Sequence, residues 1–281
     1  MKRLGTVMVL SALALGCGDD ASATQEQQDV GLSFAAVVGT EAFVCGNTYD
    51  NLGANDTPLV LSDFRFYVQE VELKNAVGAW VPVQLEENRF QNSGVALLDF
   101  EDGCGELGTP ELNDSVRGTL PAGEYDGLRF KMGVPFEVNH MNSATAPSPL
   151  NLTSLFWNWQ GGYKFLRIDS GQFSGTDWRM HLGSTGCEGD PMVGGVTSCA
   201  NGNRVEVELD AFDASTGTVV ADYAALVEGA ALDVSESNPE EGDDPGCMAK
   251  PADADCAPLF ENLGLSFAGS TPGPQQFFSA E

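Results

Sequence analysis

Positive charge is what this 281-residue chain has least of: 13 lysines and arginines stand against 41 aspartates and glutamates, a formal charge of −28. So acidic a surface repels phosphate backbones and anionic headgroups, which excludes nucleic acid and a polybasic membrane patch as partners. The same field keeps the protein soluble and draws cations and basic proteins toward it. Histidine is nearly absent, His140 and His181 being the only two. No G-x-S-x-G, H-E-x-x-H or phosphate-binding P-loop occurs. A Ser-His-Asp triad would have to recruit one of the two histidines, and neither stands in a nucleophile context. Among the 41 acids nothing picks out a pair for glycoside chemistry. No window holds helical spacing for three turns, which argues against a helical bundle.

The first residues do carry a pattern. Lys2 and Arg3 precede an apolar run from Val7 to Leu15, too short to span a bilayer but suited to a secretory signal. Cys17 closes "ALGC", which resembles the lipobox where bacterial lipoproteins are cut and acylated, with Ala14 in place of the usual leucine. "ASA" at Ala21 to Ala23 offers an alternative cleavage site. Residues 1–16 therefore read as a signal peptide and residues 17–29 as a polar, flexible tether behind a lipidated Cys17. The expected location is the periplasm, outer membrane or cell surface, with the lipid anchor as the membrane attachment. Six cysteines follow: Cys45, Cys104, Cys187, Cys199, Cys247 and Cys256. An even set in an exported chain reads as disulfides. Short loops favour Cys187 with Cys199 and Cys247 with Cys256, leaving Cys45 with Cys104. Thiolate metal ligation is the alternative, and no C-x-x-C pair supports it.

Downstream, β-branched and aromatic segments alternate with turn clusters, among them "VGLSFAAVVG", "PLVLSDFRFYVQEVEL", "VALLDF", "YDGLRFKMGV", "RVEVELDAF" and "TVVADYAALV". In the second, Phe64, Phe66 and Val68 share one face and Arg65, Tyr67 and Gln69 the other. Val71 and Leu73 resume one position out of phase, which predicts a bulge near Gln69. Val205, Val207 and Leu209 face inward while Glu206, Glu208 and Asp210 face water. With 33 glycines and 14 prolines as punctuation, the expected fold is all-β. It is an antiparallel β-sandwich with long irregular loops and disulfides, one domain over residues 30–281. An acidic insertion at about residues 235–258 is expected to be solvated, since it lacks calcium-loop spacing. "GLSFA" at Gly31 and again at Gly264 suggests two similar edge strands rather than a repeat.

Each histidine sits beside a methionine: Met141 after His140, Met180 before His181. Imidazole with thioether suits copper, and soft sulfur favours Cu(I). Neighbours in a strand point to opposite faces, so Met180 is expected in the core if His181 is a ligand. Between the histidines lies "SLFWNWQGGYKFLRID". In a strand, Trp157 and Trp159 would project together, with Phe156 and Asn158 opposite. Periodicity alone favours a pair of core aromatics over a carbohydrate-stacking platform with Tyr163 or a redox-active tryptophan.

Five motifs in order, "LSDFRFYVQEVEL", "VALLDFEDGCG", "MGVPFEVNH", "PLNLTSLFWNWQGGYKFLRID" and "HLGSTGC", together with "FVCGNTYDNLG", resemble the MbnP family, the metallo-mystery pair four-Cys motif proteins. The resemblance runs from about Val30 to Leu209. It implies an exported, β-rich protein of copper homeostasis that holds one copper ion and is not itself an enzyme. The first tryptophan of its W-x-W motif, here Trp157, is implied to be oxidised to kynurenine. The oxidising partner would be a di-haem protein of the MauG and cytochrome c peroxidase superfamily, of the MbnH type. His140 and His181 are then the implied copper ligands, Met141 or Met180 an additional weak one, and Trp159 a neighbour packing against the site. Kynurenine exposes an aryl amine and a ketone where indole offers only a donor N–H. The rival reading is a carbohydrate- or matrix-binding surface lipoprotein that uses Trp157 and Trp159 as an aromatic platform.

Overall fold

One strand of 19 residues, Thr57–Asn75, is the spine of the molecule. The computed structural model describes residues 25–105, 107–170, 178–190, 195–235 and 245–281. The expected signal peptide, Cys17, residues 17–24 of the tether and the middle of the acidic insertion lie outside the described residues. The first half of the long strand pairs with Leu166–Ser170 on one side and Val95–Asp99 on the other. Its second half pairs with Tyr125–Met132 and Trp80–Pro82. The expected bulge is present: the register passes from Gln69 opposite Lys131 to Glu72 opposite Arg129, and Glu70 has φ 49°. One extra residue restores the apolar phase, so Val71 and Leu73 rejoin the core that Phe64, Phe66 and Val68 began.

The large sheet runs Val205–Leu209, Tyr125–Met132, Thr57–Asn75, Leu166–Ser170, Arg179–Leu182 and Gly246–Cys247. A second sheet runs Phe278–Ala280, Thr218–Asp222, Gln27–Val38, Ser115–Pro121 and Gln84–Leu85. Between them lies an apolar core: Leu32, Phe34 and Ala36 from one sheet meet Phe64, Phe66 and Phe130 from the other. Phe34 and Phe130 pack edge to face with centroids 5.7 Å apart. The result is an all-β sandwich that does not close into a barrel. Most pairings are antiparallel as expected, but Gln27–Val38 runs parallel to Thr218–Asp222, and Arg179–Leu182 runs parallel to Gly246–Cys247.

All three disulfides join the expected partners: Cys45 with Cys104, Cys187 with Cys199, and Cys247 with Cys256. Such bonds belong to oxidising compartments. Among the described residues no helix is long and apolar enough to cross a membrane.

Four local expectations need correction. The first strand begins at Gln27, paired with Pro121, rather than at Val30. "TVVADYAALV" is a strand only to Asp222, whose carboxylate accepts from Ala224 N and caps the short helix Tyr223–Leu226. The second "GLSFA" is loop rather than strand, following the helix Cys256–Asn262. The described ends of the acidic insertion are only partly solvated: Lys250, Pro251, Ala252 and Ala254 are exposed, but Cys247 and Cys256 are both fully buried in the core.

Candidate metal centre

Strand alternation puts Asp63, Arg65, Asp99, Arg167 and His181 of the large sheet on the face away from the sandwich core, yet they are buried there. One row crosses four strands: Asp99 opposite Arg65, Arg65 opposite Arg167, Arg167 opposite His181. The next row on the same face is Asp63, Asp169 and Arg179. Arg65 and Glu101 are fully buried. Arg65 Nε donates to Asp63 Oδ1 at 2.8 Å, and its Nη1 lies 3.3 Å from Glu101. Arg167 Nε reaches Asp63 Oδ2 at 3.0 Å and Asp169 Oδ2 at 2.8 Å. Lys164 Nζ and Arg167 Nη1 both donate to the carbonyl of Ser154, at 3.0 and 3.1 Å, which ties the lattice to the start of the tryptophan segment.

Burial dominates the acid–base behaviour here. It pushes the Asp63 carboxyl up to about 6 against the hydrogen bond and charge of Arg65. It pushes Asp99 up to about 7, with Arg65 opposing and Glu101 adding. Burial and the neighbouring Arg167 charge bring Lys164 down to about 8.

His181, on the strand Arg179–Leu182, is 5% exposed, and its Nε2 lies 2.6 Å from Asp169 Oδ1. Burial works to raise Asp169, but the hydrogen bond from His181 and the Arg167 charge outweigh it and hold the carboxyl well below its usual range. Burial also lowers His181, which the Asp169 hydrogen bond only partly offsets. Burial therefore favours the neutral imidazole, with Nε2–H donated to Asp169. That leaves Nδ1 as a buried lone pair with no hydrogen-bond partner among the described residues. A carboxylate-oriented imidazole with one bare nitrogen is the arrangement found behind metal-ligating histidines. Met180 points the other way, fully buried in the sandwich core opposite Ile168. That position removes it from the donor set around His181, as the alternation required. A cleft of about 410 Å³ lined by Asp63, Lys164, Arg167, Asp169 and His181 opens over the lattice.

The tryptophan segment is not one strand. A 3-10 turn, Thr153–Leu155, leads into Phe156–Asn158, which pairs with Gly162–Tyr163. Asn158 Oδ1 accepts from Gln160 N and Gly161 N and closes the turn between them. Trp159 consequently lies in the turn and does not share a strand face with Trp157. Leu155 and Phe156 join a second apolar cluster with Tyr67, Leu97 and Tyr163, whereas half-buried Trp157 packs against the edge of the main core. Its indole lies on Gly183, two residues beyond His181 in the same alternation phase. A Cβ at Gly183 would collide with Trp157 Cζ3 and come within 2.7 Å of the Tyr163 carbonyl oxygen. Tyr163 is fully buried and its hydroxyl donates to Leu150 O, so it forms no part of an exposed stacking platform.

His140 caps the short helix Phe136–Asn139. Asn139 Oδ1 accepts from Tyr163 N at 3.0 Å, which fixes the amide and aims Nδ2 at His140 Nε2, 3.2 Å away. His140 Nδ1 lies 3.0 Å from the Trp159 carbonyl oxygen. The imidazole therefore carries its proton on Nδ1, and Nε2 presents a lone pair. Burial lowers its pKa, partly offset by that hydrogen bond. Met141 packs against the second apolar cluster.

The two imidazoles have separate partners, Asp169 for His181 and Asn139 with Trp159 for His140. The Trp157–Trp159 segment contacts both neighbourhoods, through the Trp157 ring on Gly183 and the Trp159 carbonyl on His140. Asp63, Arg65, Asp99, Glu101, Arg167 and Asp169 all lie within the motifs quoted above, but nothing there singles one out as a site residue. Four of them leave a trace in the sequence, an opposite charge two residues away on the same strand face, Asp63 with Arg65 and Arg167 with Asp169.

Fold and site define a class: a disulfide-bonded β-sandwich carrying a buried, carboxylate-oriented histidine beside an aromatic hairpin. The MbnP family model matches residues 27–249, and the chain belongs to that family. Among solved structures, MbnP from Methylosinus trichosporium is similar at TM-score 0.77 and 32% identity, covering 91% of this chain and 98% of that one. No curated relative matches the chain.

Proposed function

We propose that this chain is an exported copper-binding protein of copper homeostasis. One copper is held by His140, His181 and a kynurenine made from Trp157. The buried Nδ1 of His181, without a hydrogen-bond partner among the described residues, carries the reading, because a neutral imidazole pinned by a carboxylate is a ligand awaiting a metal. Membership of a family associated with copper supports the choice of ion. When bound, a cuprous ion would supply a soft acceptor for imidazole nitrogen and for the aryl amine and ketone of kynurenine. The chain's own residues do the positioning. Asp169 keeps the His181 proton on Nε2, the Trp159 carbonyl keeps the His140 proton on Nδ1, and Gly183 leaves room for the Trp157 ring.

The protein is a substrate of an oxidising partner and performs no turnover of its own. Half-buried Trp157 is open enough to be oxidised by a di-haem MauG-like protein docking on this face, while its remaining surface is held against the core. The leader and Cys17 direct the chain to the periplasmic or outer-membrane surface as a lipoprotein.

Peptide mass spectrometry of Trp157 from the native host, with copper analysis of the same sample, tests this. Kynurenine at Trp157 with one equivalent of copper is expected. Intact tryptophan where the partner gene is present and expressed would overturn it.

A further inference from the structure

His140 has a second neighbour that the copper centre does not use. Its Nε2 lies 3.6 Å from Cys199 Sγ, and the ligand atoms of His140, Cys187 and Cys199 all lie within 4.8 Å of one another. Cys187 and Cys199 face each other across the hairpin formed by Thr185–Asp190 and Gly195–Asn201. Among the described residues that hairpin pairs with neither sheet, and both cysteines are half-buried rather than sealed. Cys247 and Cys256, by contrast, are fully buried.

We propose that the Cys187–Cys199 disulfide and His140 form a redox-gated site for a soft metal ion, a reading that shares His140 with the copper centre above. A dithiol reductant transfers two electrons and two protons. The S–S bond breaks, Cys187 and Cys199 become thiols, and the reductant becomes a cyclic disulfide. Metal binding then displaces up to two thiol protons and gives two thiolates and one imidazole.

The separations fit. With metal–sulfur bonds of about 2.3 Å and metal–nitrogen bonds of about 2.0–2.1 Å in tetrahedral geometry, nitrogen and sulfur stand about 3.6 Å apart. That is the separation between His140 Nε2 and Cys199 Sγ. The sulfurs must part to about 3.8 Å in the same geometry, a short movement for two strands with no other sheet partner. The tautomer is already set, since the Trp159 carbonyl holds the His140 proton on Nδ1. Asn139 Nδ2, at 3.2 Å, is the one group the ion displaces from Nε2. Two thiolates with an imidazole select a thiophilic d¹⁰ ion such as Cu(I), Zn²⁺ or Cd²⁺ over a hard cation.

The test uses recombinant protein made without the oxidising partner, so that Trp157 is intact, and Cd²⁺ as probe. After reduction by a dithiol, one equivalent of Cd²⁺ is expected to give a thiolate-to-metal charge-transfer band that the oxidised protein lacks. His140→Ala should weaken binding at least about tenfold, and His181→Ala should leave it unchanged. In reduced wild-type protein, Cd²⁺ should slow iodoacetamide alkylation at Cys187 and Cys199 but not at Cys45 and Cys104, read by peptide mass spectrometry. This arm needs no variant to fold. Protection confined to Cys45 and Cys104, or a band undiminished in folded His140→Ala, would overturn the proposal. Failure of the kynurenine–copper reading shows instead as His181→Ala material from the native host that keeps full copper.

Discussion

Arg65 and Arg167 stand directly opposite each other on neighbouring strands, two cations in one cross-strand pair. Like charges so placed repel, and the pair persists because Asp63 bonds both guanidinium groups from the adjacent row. Asp169 continues that row and takes the other side of Arg167. The lattice ends at His181, so the proposed ligand position is fixed by charges two strands away. Hydrogen-bonded, paired charges of this kind are costly to break singly, which makes His181 hard to reorient.

Replacing Asp169 with asparagine tests that dependence. The variant keeps the shape but removes the anion that accepts the His181 Nε2 proton, and it leaves Asp63 as the carboxylate facing Arg167 among the described residues. We expect copper affinity in matured protein to fall about 10–100-fold, with a smaller loss than in His181→Ala. Competition against a Cu(I) chelator gives the number. Unchanged affinity in Asp169→Asn would remove the carboxylate from the account of the site.

Gly183 separates the Trp157 ring from the strand of His181. Valine there would drive a side chain into Trp157 and the Tyr163 carbonyl. Overpacking of this kind costs about 1–3 kcal/mol. Gly183→Val should lower Tm, change the near-ultraviolet circular dichroism of the tryptophans and reduce the kynurenine yield in the native host. A variant with wild-type spectrum and yield would show that the ring does not need this seat.

Asp99 makes the stability of the fold depend on pH. Its folded-state pKa, about 7, is above the unfolded value, so the folded protein binds the extra proton between those limits. Stability from this group is therefore greatest at low pH and declines as pH rises toward 7. His140 and His181 act in the opposite sense, since their lowered values make stability fall as pH drops below the unfolded imidazole range. Asp63, raised to about 6, declines in the same sense as Asp99, so Asp99→Asn removes only the Asp99 part and preserves the contact with Thr109. The Tm of the variant relative to wild type should rise between pH 5 and pH 8, by calorimetry. A constant difference would mean that Asp99 stays ionised throughout.

Alternation in "FRFYV" told which residues share a face, and loop length told which cysteines pair, because both are local properties of the chain. Alternation also put Arg65, Tyr67 and Gln69 together on the other face, but it did not tell what covers them. A half-polar strand is normally solvated on its polar side. Here the segment from Phe136 to Phe165 folds back over that face and buries Tyr67, Leu97 and Tyr163 against it. No local periodicity encodes a cover supplied from 60 residues or more away along the chain. The same limit explains the tryptophans. Two-residue spacing predicts a shared face only within a strand, and the Asn158 side chain ends the strand between them.

That turn separates the roles of the two tryptophans. Trp157 contributes its ring, which lies on Gly183 and is the group that oxidation would convert. Trp159 contributes its backbone carbonyl, the acceptor that holds His140 in one tautomer, and a main-chain contact survives a change of side chain. Trp159→Phe should therefore keep kynurenine formation at residue 157, with copper affinity within about twofold of wild type, the ±0.5 kcal/mol of an ordinary half-exposed substitution. Trp157→Phe leaves no indole to oxidise and should lose the copper bound in native material while the fold and the three disulfides remain. Mass spectrometry and copper analysis of the two variants expressed with the di-haem partner decide between them. Loss of modification at residue 157 in Trp159→Phe would instead make the second indole part of the oxidation route.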